Sequence, residues 1–396
     1  MAGTAGMAKE KPQLAILGAG IFVRNQYIPR LAEISHLFNL KAIWSRTEES
    51  ARRAVENASK YFPGVLCKWG VKGLDEIIHD DSIPGVAVVL AGHTQVDISL
   101  RLLKAGKHVL QEKPAAACKY DAFSIESSIL SYISVVNTAM VLQWRLNAAS
   151  ELETALARYN AICANLSDQP IWAVAENYRF EPAFVESKKL IAEIGDMMSV
   201  QVIVEGSMNS SNPYFSSTWR RNYTGGFILD MGVHFIAGLR MLVGCEVVSV
   251  SAMTTHVDPD LPPPDNLSSL FQLENGCSGV FVMVVSSRSP QILWRVVGLK
   301  GTVQIERGHI DGQHGYLVLF FSADGQRKSS FYPFSGVDAE LKTFIHDVSQ
   351  ATHKKGSDYE VEPRLSFLEG ARDVAILDAM LESGSKQGAL VQVKKF

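Results

Sequence analysis

Three side chains in this sequence have the types and spacing to do chemistry together: Lys113, Asp230 and His234. Lys113 lies in Glu112-Lys113-Pro114, directly after the apolar run His108-Val109-Leu110. Proline lacks a backbone donor and biases its predecessor toward extended geometry, so it ends a strand and leaves Lys113 on stiff backbone. An ammonium so placed can donate to an oxygen that is gaining negative charge. Asp230 and His234 stand four apart in Gly225-Gly226-Phe-Ile-Leu-Asp230-Met-Gly-Val-His234. On a helix they share one face, where an imidazole can act as a base and a carboxylate can orient it. The carboxylate favours imidazolium and burial opposes it. Each feature alone has an ordinary structural reading, a lysine in a surface turn and an intrahelical Asp–His pair.

A second group of residues suits a nucleotide. Leu14-Ala-Ile-Leu17 runs into Gly18-Ala-Gly20 and then, through Ile21 and Phe22, into a helical pattern. Unpaired backbone amides at such a helix start can hold a pyrophosphate at the positive end of the helix dipole. The third glycine of a full dinucleotide fingerprint is replaced by Val23, which sets helix and strand further apart. At the end of the next strand, where an acid would bind the ribose hydroxyls of NAD, the chain has Ser45-Arg46 and no acid before Glu48. A guanidinium beside a hydroxyl suits a 2′-phosphate, which points to NADP, with NAD kept open. The structural alternatives are Ser45 as the cap of a Ser45-x-x-Glu48 capping box and Arg46 as a solvated helix-start cation.

These groups need elements to hold them. Apolar strand runs at Leu14 to Leu17, Leu40 to Trp44, Leu66 to Trp69, Val86 to Leu90 and His108 to Leu110 alternate with helical patterns, among them Thr47 to Tyr61 and Asp97 to Lys104, the latter closed by Gly106. Such alternation predicts a right-handed, doubly wound parallel sheet. A helix over Glu151 to Asn165, capped by Ser150 with Glu153, leads to a strand at Ile171 to Ala175. Seven further strand-like runs lie between Met198 and Phe321, with turn signals at Glu274-Asn-Gly276, Lys300-Gly301 and Ala323-Asp-Gly325, and helical patterns follow at Asp338 to Ala351 and Pro363 to Ser383. The expected fold is α/β: a flexible N-terminus over 1–11, an N-terminal Rossmann domain over 12–170, and a C-terminal α/β domain over 171–396 with a large, mainly antiparallel open sheet.

Composition excludes little and is consistent with that fold. The 396 residues are 47% hydrophobic and 20% charged with net charge −3, without the basic block that a nucleic-acid partner would call for. The five cysteines, Cys67, Cys118, Cys163, Cys245 and Cys277, form neither a CxxC pair nor a metal-ligand spacing, as expected of a reducing compartment. One Asp and one His without a third ligand make no metal site. Residues 1–11 carry no apolar signal core, so the cytoplasm is the expected location. The charge-free stretch from Ser127 to Trp144 is interrupted by polar residues and reads as an added helix rather than a membrane span.

Together, Gly18-Ala-Gly20, Ala105-Gly-Lys-His-Val with Glu112-Lys113-Pro114, and Gly225-Gly226 with Asp230 and His234 resemble the glucose–fructose oxidoreductase/inositol dehydrogenase/MocA (Gfo/Idh/MocA) family, in order and in spacing from about Leu14 to the last helix. The resemblance implies an NAD(P)-dependent oxidoreductase of sugars, polyols or related secondary alcohols and carbonyls. By it, Lys113 touches nicotinamide and substrate, and Asp230 and His234 match the acid and base. Trp219-Arg220 resembles a position near the cofactor. Glu176-Asn-Tyr-Arg-Phe-Glu-Pro182 is similar to a plant-type branch and implies that Tyr178 and Arg179 line the substrate cleft. Ala91, His93 and Gln95 replace a Pro and a His common in the loop after the fourth strand, and with Glu112 they complete the implied cofactor contacts. The segment between Cys118 and Asn147 has no counterpart in the family pattern, and its apolar, charge-poor composition suits a translated intron. The resemblance also implies a homo-oligomer built through the C-terminal sheet, and it leaves one alternative class, a non-catalytic NADP-binding sensor or scaffold.

Overall fold

A computed structural model of the chain describes residues 11–117, 148–222, 225–353 and 360–396. The expectations for the N-terminal ten residues and for the 118–147 segment fall outside these.

Six parallel strands form the first sheet in the order β3-β2-β1-β4-β5-β6. They are β1 (Gln13–Leu17), β2 (Asn39–Ser45), β3 (Leu66–Trp69), β4 (Gly85–Val88), β5 (His108–Glu112) and β6 (Trp172–Ala175). This is the doubly wound order of a dinucleotide-binding domain, whose ligands lie beyond the carboxyl ends of the strands at the β1/β4 switch point. β5 is buried along all five residues, as a central parallel strand covered on both faces must be. The strand assigned from sequence to the second domain is β6, paired with β5 from Val109↔Trp172 to Glu112↔Ala175. The first sheet therefore extends past residue 170.

Nine strands form the second sheet, in the order β14-β13-β12-β11-β7-β10-β9-β8-β15. They include β8 (Val247–Thr255), β9 (Asn266–Leu273), β10 (Ser278–Val284), β14 (Arg327–Pro333) and β15 (Val391–Gln392). Its long members are β7 (Met197–Ser207), β11 (Ser286–Gly298) and β12 (Gly301–Ile310). Only the β7/β10 pair is parallel; the other pairings are antiparallel. The turn glycines Gly276 and Gly325 take positive φ, as their hairpin positions require. A tight turn absent from the sequence reading, Asp311-Gly312, joins β12 to β13 (Gln313–Ser322) with both residues at positive φ.

One helix carries two side chains of the site, and another backs the sheet that carries the rest. α8 (Gly226–Val243) is buried on nearly all sides. By length and composition it could cross a membrane, but it is the core helix of the second domain, packed against α10 (Phe367–Ser385), with Trp294 donating to the Phe235 carbonyl. α9 (Gly336–His353) crosses back to the first sheet and packs Leu341, Phe344, Ile345 and Val348 against Leu14, Ile16, Tyr27 and Leu110. Helical periodicity marks the apolar face of α9 but cannot say which sheet it covers. Other differences are local. α5 (Ala148–Asn165) is already helical before Ser150, so the Ser150/Glu153 pair does not start it. α4 (Gly92–Lys104) begins five residues earlier than its charge pattern suggests and closes through Gly106 at φ 77 as expected.

Candidate active site

The glycine pair opening α8 sets its position. Gly225 and Gly226 have φ of 85° and 47°, and a Cβ on Gly225 would lie 2.6 Å from Leu381, so only glycine lets the helix start this close to α10. One turn in, Asp230 meets the end of β5. Lys113 Nζ donates to the Asp230 carbonyl at 2.8 Å and to its Oδ1 at 3.2 Å, while Arg220 Nε donates to Oδ2 at 2.8 Å. Burial pushes the Asp230 carboxyl up, but Lys113 and Arg220 outweigh it and hold the group at about 2. The Arg220 guanidinium lies over the rings of Trp219 (4.1 Å) and Tyr214 (4.8 Å) and bonds Ser217 Oγ at 3.0 Å. Thus Arg220, expected as a cofactor contact, clamps Asp230.

His234 departs from expectation. Its ring does not use Asp230; its Nδ1 is 2.7 Å from Oε1 of Glu176. The reason is geometric. Four residues of helix rise about 6 Å, close to the spacing of about 4.8 Å between neighbouring strands. Glu112 pairs with Ala175, so Lys113 and Glu176 are the next residues on adjacent strands, and α8 lies across both ends. Asp230 falls opposite β5 and His234 opposite β6. Burial pushes the Glu176 carboxyl up, yet His234, then Arg179 and Lys113, bring it below its ordinary value. Tyr178 stacks on His234 with ring centroids 4.9 Å apart and 18° between planes.

Three expected contacts turn into the interior instead. Arg179 is ion-paired with Asp373 and donates to the Glu369 carbonyl at 3.0 Å, and Arg240 Nη1 reaches the other Asp373 oxygen at 2.8 Å. Arg179 ties the segment after β6 to α10 rather than facing substrate. The Glu112 carboxyl accepts from the buried Tyr27 hydroxyl at 2.6 Å, and Gln95, fully buried, donates from Nε2 to the Glu112 carbonyl at 2.9 Å. Both fix the strand end that carries Lys113. Tyr27 and the buried Glu340 of α9 were not singled out from sequence, and Glu176 stood there only as the first residue of the segment expected to line the cleft. For Glu176 a signal existed: an acid directly after a buried strand run, in the same place as the Glu112-Lys113 pair one strand earlier.

The nucleotide side fits its expected ligand. Gly18 has φ 134°, and a Cβ there would lie 2.2 Å from the Val89 carbonyl oxygen, whereas a Cβ on Gly20 would meet nothing within 4 Å. The turn therefore needs glycine at Gly18 and leaves open space over Gly20, as close approach of a pyrophosphate requires. Ile21 is 38% exposed at the helix start, and Phe22 packs edge-on to Tyr27 at 5.6 Å. Val23 is fully buried and begins a π turn, Val23–Tyr27, a wider winding that accompanies the larger side chain. The Gly18 amide donates to the Trp44 carbonyl at 2.8 Å, bringing the end of β2 beside the turn. There Ser45 is half-buried and Arg46 exposed. Thr47, not Ser45, caps α2 (Glu48–Ala58), accepting from the Ser50 amide, so the capping-box alternative for Ser45 falls away. Ala91 is the N-cap of α4, and His93 follows in its first turn. Among the described residues no group of three His, Cys, Asp or Glu side chains could hold a metal ion.

Residues 13–126 match the oxidoreductase family with an NAD-binding Rossmann fold, and residues 184–304 match the GFO/IDH/MocA C-terminal domain. The chain is 28% identical to the dehydrogenase FPY6 of Fusarium mangiferae over 96% of its own length and 99% of that protein. Among solved structures, an aldose-aldose oxidoreductase from Caulobacter crescentus complexed with glycerol gives a TM-score of 0.74 at 20% identity, covering 97% of this chain and 100% of that one. An inositol dehydrogenase homolog from Azotobacter vinelandii, complexed with NADH and myo-inositol, gives 0.73 at 16% identity, covering 97% and 98%. At such identities the two structures establish the fold.

Proposed function

The chain belongs to the Gfo/Idh/MocA oxidoreductase family, and on that premise we propose that it transfers hydride between NADP and a sugar, polyol or related secondary alcohol or carbonyl compound. The observation that carries this reading is the pairing of Lys113 with Asp230 and of His234 with Glu176 at adjacent strand ends, on the side of the sheet where Gly18-Ala-Gly20 leaves room for a dinucleotide. A protein that only bound the nucleotide would need neither pair.

The nicotinamide supplies the hydride acceptor or donor. In the oxidation direction, Nε2 of neutral His234 takes the hydroxyl proton of the substrate. Lys113 Nζ donates to the oxygen as its charge develops, most effectively in a cleft poor in water. Asp230 stays ionised and holds Lys113 and Arg220 in place. Tyr178 limits the rotation of the His234 ring. Ser45 and Arg46 receive the 2′-phosphate at the end of β2. The polyol-bound relatives in this fold, with glycerol and with myo-inositol, support the substrate class. Exposed Leu270 and Met253, on the face of the second sheet turned away from α8, support association of copies through that sheet.

The test is a screen of purified protein with NADP and NAD against sugars, inositols and other polyols, and with NADPH and NADH against diketones and ketosugars. The reading expects turnover of at least one compound, faster with the phosphorylated cofactor. Cofactor binding without turnover across the panel would favour a sensor or scaffold.

A further inference from the structure

We propose that Glu176 is the positioning residue of His234, accepting its Nδ1 proton so that Nε2 faces the substrate as the proton acceptor. This rests on the oxidoreductase reading above and assigns to Glu176 the role expected of Asp230.

The geometry leaves little choice of partner. Both Asp230 oxygens are engaged, Oδ1 by Lys113 and Oδ2 by Arg220. Among the described residues, Glu176 is the carboxylate hydrogen-bonded to His234, at 2.7 Å. A carboxylate can only accept, so the ring nitrogen facing it must carry the proton, and this fixes the tautomer. The carboxylate is itself held: its Oε1 also accepts from the Tyr178 amide at 3.2 Å, in the short turn that follows β6. The stacked Tyr178 ring then restrains the imidazole from one side.

Burial argues that the pair is more than structural. Glu176 is 1% exposed, and its Oε2 has no hydrogen-bond partner. A buried carboxylate whose hydrogen-bonded partner is a part-time cation is a poor stabilising device. A permanent cation, Arg179, lies three residues on and is committed to Asp373 instead. The charged and titratable groups around Glu176 are Glu112 from β5 and Lys113 just after it, Arg179 from its own segment, His234 from α8, Glu340 from α9 and Asp373 from α10. Burial and then the neighbouring acids push the Glu340 carboxyl well above its ordinary range, and Glu176 is the carboxylate that the imidazole itself contacts. Because Glu176 directly follows a strand of the first sheet and His234 lies on a helix of the second domain, the base is set only when the two are docked.

The experiment compares wild type with E176D, E176Q and E176A, using a substrate from the screen, and reads His234 by ¹⁵N NMR, assigned by its loss in H234N. Loss of the countercharge in E176Q should lower kcat by about 10²-fold with little change in KM. It should also move the acid limb of the kcat/KM profile to lower pH. E176D should recover most of the rate, and E176A should be the slowest. At alkaline pH the wild-type ring should be protonated at Nδ1 and bare at Nε2, with that preference weakened in the nearly isosteric E176Q. A wild-type ring protonated at Nε2, or an E176Q enzyme as fast as wild type, would overturn the proposal. If no compound is turned over, the oxidoreductase reading fails on those substrates, while the NMR arm still decides the role of Glu176.

Discussion

Lys113 takes hold of Asp230 at two points, the backbone carbonyl at 2.8 Å and the carboxylate at 3.2 Å. Neither residue is free to wander: Lys113 follows a buried strand end that Gln95 and Tyr27 brace, and Asp230 is also clamped by Arg220. The ammonium is thus preorganised for an oxygen at the mouth of the crevice. Lys113→Met keeps most of the length of the side chain and removes the charge. It should reduce kcat by about 10³-fold, the upper range for losing one preorganised donor, while the dissociation constant of the cofactor stays close to that of wild type. Steady-state rates beside fluorescence titration with NADPH check this; substantial residual kcat would remove Lys113 from the chemistry.

Glu112 gives a prediction for stability against pH. Burial raises its carboxyl to about 7, with Tyr27 and Lys113 pulling the other way. The folded state therefore holds a proton between about 4.5 and 7 that the unfolded chain has released, and stability falls as pH rises through that window. Below about 4.5 both states are protonated and the group has no effect. Glu112→Gln preserves an acceptor for the Tyr27 hydroxyl and cannot ionise. Its melting temperature should match wild type near pH 4.5 and exceed it at pH 8, by an amount worth up to about 3 kcal/mol. Equal melting temperatures at pH 8 would show that the carboxyl is not held up by burial.

How far the sequence foretold this arrangement depends on range. The buried parallel strands show as apolar runs, Leu14 to Leu17 and His108 to Leu110 among them, because burial on both faces leaves no alternation. The glycine turn at Gly18 and the stop at Pro114 show because backbone geometry restricts which residues can stand there. The partner of His234 does not show. The i, i+4 rule says that Asp230 and His234 share a face, but the helix rise against the strand spacing, a tertiary fact, decides that each meets a different strand. Arg179 misleads for a related reason: its neighbour Tyr178 reaches the site, while its own side chain turns toward Asp373, a residue far along the chain. The docking of α9 on the first sheet is hidden in the same way.

Arg179 and Asp373 form a buried ion pair with side chains 5% and 1% exposed. Burial raises the Asp373 carboxyl to about 6, with Arg179 and then Arg240 pulling it down. Removing Arg179 leaves Asp373 with Arg240 alone and strands part of a buried charge. Arg179→Met should destabilise the protein by about 3 kcal/mol, the lower end for breaking a buried pair, because the second arginine remains. KM for the substrate should not move in the folded enzyme. Urea unfolding and Michaelis kinetics on the same preparation separate the two roles; an unchanged midpoint with a raised KM would return Arg179 to the substrate cleft.

On the proposed reading, cofactor choice turns on Ser45 and Arg46. With Thr47 capping α2, both residues stay at the end of β2, next to the glycine turn that the Gly18–Trp44 bond fixes there. A guanidinium contributes strong, charge-assisted bonds to a phosphate and little to a ribose hydroxyl. Arg46→Ala should therefore weaken NADPH binding by about 10- to 100-fold, as expected for losing hydrogen bonds to a charged group, and leave NADH binding nearly unchanged. Replacing Ser45 with Asp places a carboxylate where the 2′-phosphate would lie, and it should invert the preference, because the acid repels phosphate and accepts from the hydroxyls of NAD. Calorimetric titration of wild type and both variants with each cofactor measures all the terms. Tighter binding of NADH than NADPH by the wild type would rule out the phosphate site at Arg46.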